Sequence, residues 1–177
     1  MNQKEKSKIL KNRAAALARE FEPPRTAEDY LELVVFGLAS ETYAIEGSFV
    51  TEIRPLKELT PLPCTPPFVL GVINQRGQIL SILDLKKFFD LPTIGLPDLN
   101  KVIALRMNDM EFGILADVVV GMRDVLIEEI HPPPPTLKGI QAEYLKGVTQ
   151  NGMIVLDGTK ILSDRKIVVH EEVGTGT

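Results

Sequence analysis

The chain repeats itself. Shifted by 69 positions, residues 34–63 fall on a second stretch without a gap. Val34, Phe36 and Leu38 land on Ile103, Leu105 and Met107. Tyr43, Ile45 and Val50 land on Phe112, Ile114 and Val119, Ile53 meets Met122, and Pro63 meets Pro132. Further on, LGVINQRGQILSILDLKK aligns with KGVTQNGMIVLDGTK after small gaps. Gly71-Val72 then falls on Gly147-Val148, Gly77 on Gly152 and Asp84 on Asp157. Matching glycines and prolines distinguish a repeat from the general likeness of one apolar strand to another. A repeat of this length predicts two similar β lobes.

From Asp29 onward, short apolar runs alternate with turn residues. YLELVVFGL, TYAIE, FVTEI, GVINQ, GQILSILDL, KVIALRM, MEFGILADVVVGMRDVLI, GVTQ and GMIVLD each read as one strand, rich in Val, Ile and Phe. Gly, Pro and Asn-Asp punctuate them. Many short, closely spaced strands suit small barrels or a sandwich. Only DLKKFFDL, near residues 84–91, reads as a short internal helix. The run HPPPPTL at 131–137 reads as a rigid extended connection between strands; an SH3-type partner is the other use of such a run.

The first segment differs in charge. Residues 1–19 carry six cations against Glu5, a local charge of +5, which leaves -9 on the remainder. Leu10, Ala14, Leu17 and Phe21 form one apolar stripe at helical spacing, with Ser7 as a cap and Pro23-Pro24 as a stop. Such a helix either packs on the body or docks on a partner or an acidic surface. The expected organisation is a helical extension and linker over 1–28, a two-lobed β domain over 29–170 and a tail over 171–177.

Chemistry is hard to find. The net charge of -4 and pI near 5.3 argue against a nucleic-acid footprint. The single cysteine, Cys64, allows no intramolecular disulfide and fits a reducing, cytosolic compartment; it is expected as a small buried or half-buried loop residue. No apolar run reaches the roughly 18 residues of a membrane helix, and no secretory signal opens the chain. His131 and His170 are expected on the surface or in loops, without a second histidine at metal-ligand spacing. Glu128-Glu129 and Glu171-Glu172, read as strand neighbours, point to opposite faces. Asp84 and Asp117 follow apolar runs, where a carboxylate caps a strand end or a turn. No enzyme, metal or cofactor is expected.

One oddity remains in GVINQRGQILSILDL. Its corner is Asn74-Gln75-Arg76-Gly77. Gly77 explains the turn. The second copy has Asn151 before Gly152, so the hairpin can be built without an arginine. Arg76 is either a solvated turn residue or an interface anchor, a use that its planar fork of donors favours. Gly71 reads as a bulge or a point of close approach.

Four stretches, in order, resemble the CheW family, the coupling proteins of bacterial chemotaxis arrays. They are LVVFGLASETYAIEGSFVTEI, PPFVLGVINQRGQILSILDL, FGILADVVVGMRDVLIEEIHPPP and EYLKGV with GMIVLD, and they cover about residues 30–165. The resemblance implies an all-β fold of two small five-stranded SH3-like barrels sharing an apolar core. The N-terminal amphipathic helix lies outside the family's common part.

The resemblance also implies an adaptor without chemistry or cofactor. Such proteins bridge transmembrane chemoreceptors to the histidine kinase CheA. They contact the kinase's CheW-like regulatory domain barrel to barrel and hold the receptor's cytoplasmic hairpin tip in a groove between the lobes. This places the chain in the cytoplasm, with no nucleic-acid partner and a membrane met only through receptors. The family's N-x-R-G corner falls on Asn74, Arg76 and Gly77, its preceding glycine on Gly71, and its V-x-E-I element on Val50, Glu52 and Ile53. The resemblance implies that these seven bind partners. Arg76 could pair with an acid on a partner or with Glu52.

The chain departs from the pattern at Gly47-Ser48, before Val50, and in a C-terminal helix reduced to TKILS followed by RKIVVHEEV. Two other readings stand beside this one. One is a CheW-like scaffold of a non-chemotactic kinase pathway. The other is an SH3-like module binding nucleic acid through the basic helix, with a steep salt dependence as its signature.

Overall fold

The computed structural model describes residues 24–93, 100–137 and 139–167. The chain divides into two units, Met1–Tyr30 and Leu31–Thr177. The basic helix expected over residues 1–21, His170, Glu171-Glu172 and the tail from residue 171 lie outside the described residues. In the described part of the first unit, a 3-10 turn covers Ala27–Asp29. The Asp29 carboxylate accepts the Thr26 backbone N–H at 2.7 Å and closes that turn.

The described residues from Tyr30 onward form ten strands. They are β1 (Tyr30–Leu38), β2 (Glu41–Glu46), β3 (Val50–Pro55), β4 (Val69–Gln75) and β5 (Gln78–Leu83), then β6 (Lys101–Met107), β7 (Met110–Ala116), β8 (Val118–Leu126), β9 (Leu145–Val148) and β10 (Ile154–Leu156). Among the described residues three short helices join them: α1 (Leu85–Phe88), α2 (Ile140–Glu143) and α3 (Gly158–Ser163). The strands form two five-stranded sheets, β8-β1-β2-β10-β9 and β3-β6-β7-β5-β4.

The repeat is real, but its copies are not the lobes. The pairs Val34↔Ile45 and Phe36↔Tyr43 recur as Ile103↔Ile114 and Leu105↔Phe112. Each copy keeps its first two strands in one sheet and sends the other three to the opposite sheet. Thus β3 pairs with β6, and β8 lies beside β1. The parallel pairs β5–β7 and β10–β2 also join one copy to the other.

The exchange explains why the expected single strand from Met110 to Ile127 is in fact two. It breaks at Asp117, where the chain leaves the β6 lobe for the β1 lobe. The apolar pattern runs on across the break, and Asp117, read as a carboxylate at a strand end or turn, marks it.

Burial on two faces follows from this arrangement. Leu33 and Val35 join Ala44, Val125 and Val155 in a small core inside the β1 lobe. Val34, Phe36 and Leu38, pointing the other way, join Ile103, Leu105, Phe112 and Ile114 in a core shared by both lobes. Strand β6 divides likewise: Val102 and Ala104 pack with Ile73, Leu80 and Ile82 inside the β6 lobe. Each such fully buried aliphatic side chain is worth roughly 1.5–3 kcal/mol. Central strands buried on both faces therefore read as continuous apolar runs, as LVVF and VIAL do.

Reciprocal backbone bonds tie the end strands of each sheet. Beyond β3, Thr60 exchanges two 2.8 Å hydrogen bonds with Val72 of β4. Beyond β8, His131 does the same with Val148 of β9, at 3.0 and 2.8 Å. Two glycines of the repeat stand at these closures. A Cβ on Gly71 would lie 2.2 Å from the Thr60 carbonyl oxygen, and one on Gly147 would lie 2.4 Å from that of His131.

The two aligned aspartates cap helices. Asp84 accepts the Lys86 N–H at 3.0 Å to start α1, and Asp157 accepts that of Lys160 at 3.1 Å to start α3. Cys64 is exposed rather than buried or half-buried, because the proline-flanked β3–β4 loop holds it outward with a positive φ. Glu128-Glu129 lie on a 3-10 turn, Ile127–Glu129, not on a strand, and both are exposed.

Candidate functional site

The β4–β5 corner is a two-residue turn between the register pair Gln75↔Gln78. Both central residues, Arg76 and Gly77, have positive φ, of 51° and 85°. A type I′ hairpin requires this, and Asn, Asp and Gly normally supply it. The Asn74 side chain secures the turn by accepting the Gly77 N–H at 2.9 Å. In the second copy the Thr149 backbone carbonyl does that job for Gly152, also at 2.9 Å.

An arginine at positive φ is held at a local cost of about 1–2 kcal/mol. Its side chain returns little of this to the fold. The guanidinium is 84% exposed and 3.8 Å from Glu52 Oε1, an open ion pair of the kind worth at most about 1 kcal/mol. Glu52 is better anchored, since its other oxygen accepts the Gln75 side-chain amide at 2.7 Å. Gln75 Oε1 is buried with no hydrogen-bond partner among the described residues. The corner thus presents one exposed cation on a fixed turn, backed by a carboxylate that an amide holds.

Glu52, Asn74, Arg76 and Gly77 therefore come together. Ile53, further along β3, is exposed. Val50 is half-buried against the shared core opposite Leu105, and a register slip separates it from Glu52. Gly71 lies at the barrel closure, where the backbone of Thr60 needs the space.

Sequence reasoning missed three features. In the sequence Gln75 stands only as part of the corner; in the structure its amide orients Glu52. Ile79, directly across from Asn74, is 70% exposed; Ser81 on the same face was the available signal. On β8, Val118, Val120 and Met122 form an exposed apolar row. There, apolar residues on the alternate positions masked which face was outward. A Cβ on Gly47 would lie 3.4 Å from Met122 Cε, so this row runs beside the β2–β3 crossover.

Among the described residues no group of three or more His, Cys, Asp or Glu side chains is placed to hold a metal ion. None of the described helices is long and apolar enough to cross a membrane.

Comparison with known proteins agrees with this architecture. A chemotaxis protein CheW of Treponema pallidum is 33% identical over 152 residues, which are 82% of this chain and 89% of that protein. Protein FrzA of Myxococcus xanthus is 32% identical over 120 residues, covering 67% of this chain and 74% of its own. The crystal structure of the scaffolding protein TtCheW from Thermoanaerobacter tengcongensis matches with a TM-score of 0.65 at 29% identity, over 72% of this chain and 88% of that one. The family model for the CheW-like domain matches residues 32–166. With most of its length matched in sequence and in fold, the chain belongs to the CheW-like domain family.

Proposed function

We propose that this chain is a non-enzymatic adaptor that couples transmembrane chemoreceptors to the histidine kinase CheA. Its partners are the kinase's CheW-like regulatory domain, met barrel to barrel, and the cytoplasmic tip of a receptor, held between the lobes. The chain works in the cytoplasm and reaches the membrane through the receptor. The β4–β5 corner and β3 carry partner contacts, with Arg76, Asn74, Glu52 and Ile53 at the surface. Val50, Gly71 and Gly77 hold the backbone that presents them.

The observation that carries this reading is the strained, exposed Arg76. The other copy closes its corner without an arginine, with Gly152 at positive φ, and the open pair with Glu52 does not repay the conformation of Arg76. Strain held at an exposed cation on a rigid corner suits recognition of a partner. The neighbouring Ile79 supplies apolar area for the same contact.

Titration calorimetry with the CheA regulatory domain, for wild type and Arg76→Glu, tests the proposal. Binding by wild type that weakens in the variant is expected. Binding insensitive to the change would move Arg76 to the receptor side. No binding by folded wild type would favour the second reading, a CheW-like scaffold for another kinase pathway. One relative, Protein FrzA, carries a name other than CheW.

A further inference from the structure

The repeat makes two junctions where the chain crosses between lobes, and they are built differently. At the β2–β3 crossover the contact is apolar: the Phe49 ring lies against Gly158 at the start of α3, with a Cβ on Gly158 only 2.4 Å from Phe49 Cδ2. At the β7–β8 crossover it is ionic. Lys86 of α1 donates its Nζ to Asp117 Oδ1, with side-chain exposures of only 6% and 15%. Under the repeat, Lys86 aligns with Thr159 and Asp117 with Ser48, so the second junction has no such pair.

Asp117 has both carboxylate oxygens and its N–H committed. Its second oxygen accepts the Ala39 N–H at 2.8 Å, in the β1–β2 turn, and its own N–H donates to the Gly37 carbonyl at 3.0 Å. Ala39 has a φ of 54°, so the turn is held in an uncommon conformation by that carboxylate. Gly37 leaves room for Val118, the first residue of the exposed row; a Cβ on Gly37 would be 2.8 Å from Val118 Cγ1. The Lys86 carbonyl is also tied, accepting the Leu91 N–H at 2.7 Å. One carboxylate, on the residue that precedes β8, thus joins the helix of the β6 lobe to the turn of the β1 lobe.

Burying a lysine and an aspartate gains little stability over an apolar pair, and its better-attested use is to select one arrangement. We propose that the Lys86–Asp117 pair is a positioning clasp that couples the lobes. It makes α1, the β1–β2 turn and the start of β8 open and close as one unit, so that occupancy of the β4–β5 corner is felt at the β8 face. The last step rests on the proposed adaptor function; the coupling itself does not.

Native-state hydrogen exchange on the full chain tests the coupling. The amides of Ala39, Asp117 and Leu91 are expected to exchange through one opening, with the same free energy and denaturant dependence. In Lys86→Met/Asp117→Asn, exchange at Ala39, at position 117 and at Leu91 should be about tenfold faster or more, and Leu91 should no longer share one opening with the other two. Separate openings in wild type, or unchanged rates in the double variant, overturn the clasp. If the double variant does not fold, the wild-type comparison decides alone.

With the kinase regulatory domain bound, slowing is expected at Ala39 and Asp117 as well as at the corner. Slowing confined to the corner overturns transmission to β8. Failure of wild type to bind overturns the adaptor reading, and the free-protein comparison still decides the clasp.

Discussion

A side chain on Gly71 would collide with Thr60, because its Cβ would lie 2.2 Å from the Thr60 carbonyl oxygen at a φ of +148°. Two backbones meet there to close the β6 lobe. Gly71→Ala is therefore expected to cost about 3 kcal/mol or more, from the overlap together with the strained φ. Gly77→Ala has open space around it and a φ of +85°, so about 1–2 kcal/mol is expected. Urea unfolding of the two variants checks the order. Equal losses would contradict the closure role assigned to Gly71.

Arg76→Asn separates folding from binding. Asparagine suits the positive φ better than arginine, so stability should stay level or rise by up to about 1 kcal/mol. Affinity for the kinase regulatory domain or the receptor tip should fall about tenfold or more, equivalent to about 1.4 kcal/mol. Denaturant titration and calorimetry on the same sample read both. A clear loss of stability would show that the fold needs the arginine.

The Tyr144 hydroxyl donates to Asp164. That hydrogen bond, with a further one from the Lys166 N–H, holds the Asp164 carboxyl below its usual range. The folded state therefore favours the ionised carboxylate. Its contribution is full above the usual carboxylate range and is lost as pH falls through the lowered value. Tyr144→Phe is expected to cost about 0.5–1.5 kcal/mol at neutral pH, and the gap to wild type should narrow on acidification. Unfolding free energies measured across that range give the answer; a gap independent of pH would contradict it.

Alkali acts on the same core from the other side. Burial, and then hydrogen bonds to Glu41 and Asp164, raise the Tyr43 and Tyr144 hydroxyls above their usual value of 10.0. The folded state holds these protons more tightly than the unfolded chain. Stability is thus full below 10.0 and falls as pH rises beyond it. Ultraviolet titration should show two tyrosines ionising only as the fold is lost. Ionisation of both in the intact fold would contradict their placement.

Much of this was legible in the sequence. Tyr30–Leu38 and Lys101–Met107 match the strands read from their apolar runs, and the caps Asp84 and Asp157 stand where the repeat aligned them. The exchange of β3–β5 and β8–β10 between lobes was not legible. Alternation reports which face of a strand is buried, not which strand lies beside it. Asp117, read as a carboxylate at a strand end or turn, does stand between β7 and β8, but its lysine partner was not legible. Lys86, on a four-residue helix, would ordinarily be solvated, and only the structure shows the carboxylate that lets it be buried. At the corner, Arg76 stood out because the second copy lacks it, whereas Gln75 had no feature to mark it until its amide was seen on Glu52.

The central claim is that the chain bridges receptor and kinase. The most direct measurement is sedimentation of receptor-bearing membranes with the purified kinase, with and without this chain. The account predicts that the kinase pellets with the membranes only when the chain is present, and that Arg76→Glu reduces the pelleted fraction. Kinase that pellets equally without the chain, or a folded chain that stays in the supernatant with the kinase, would contradict it.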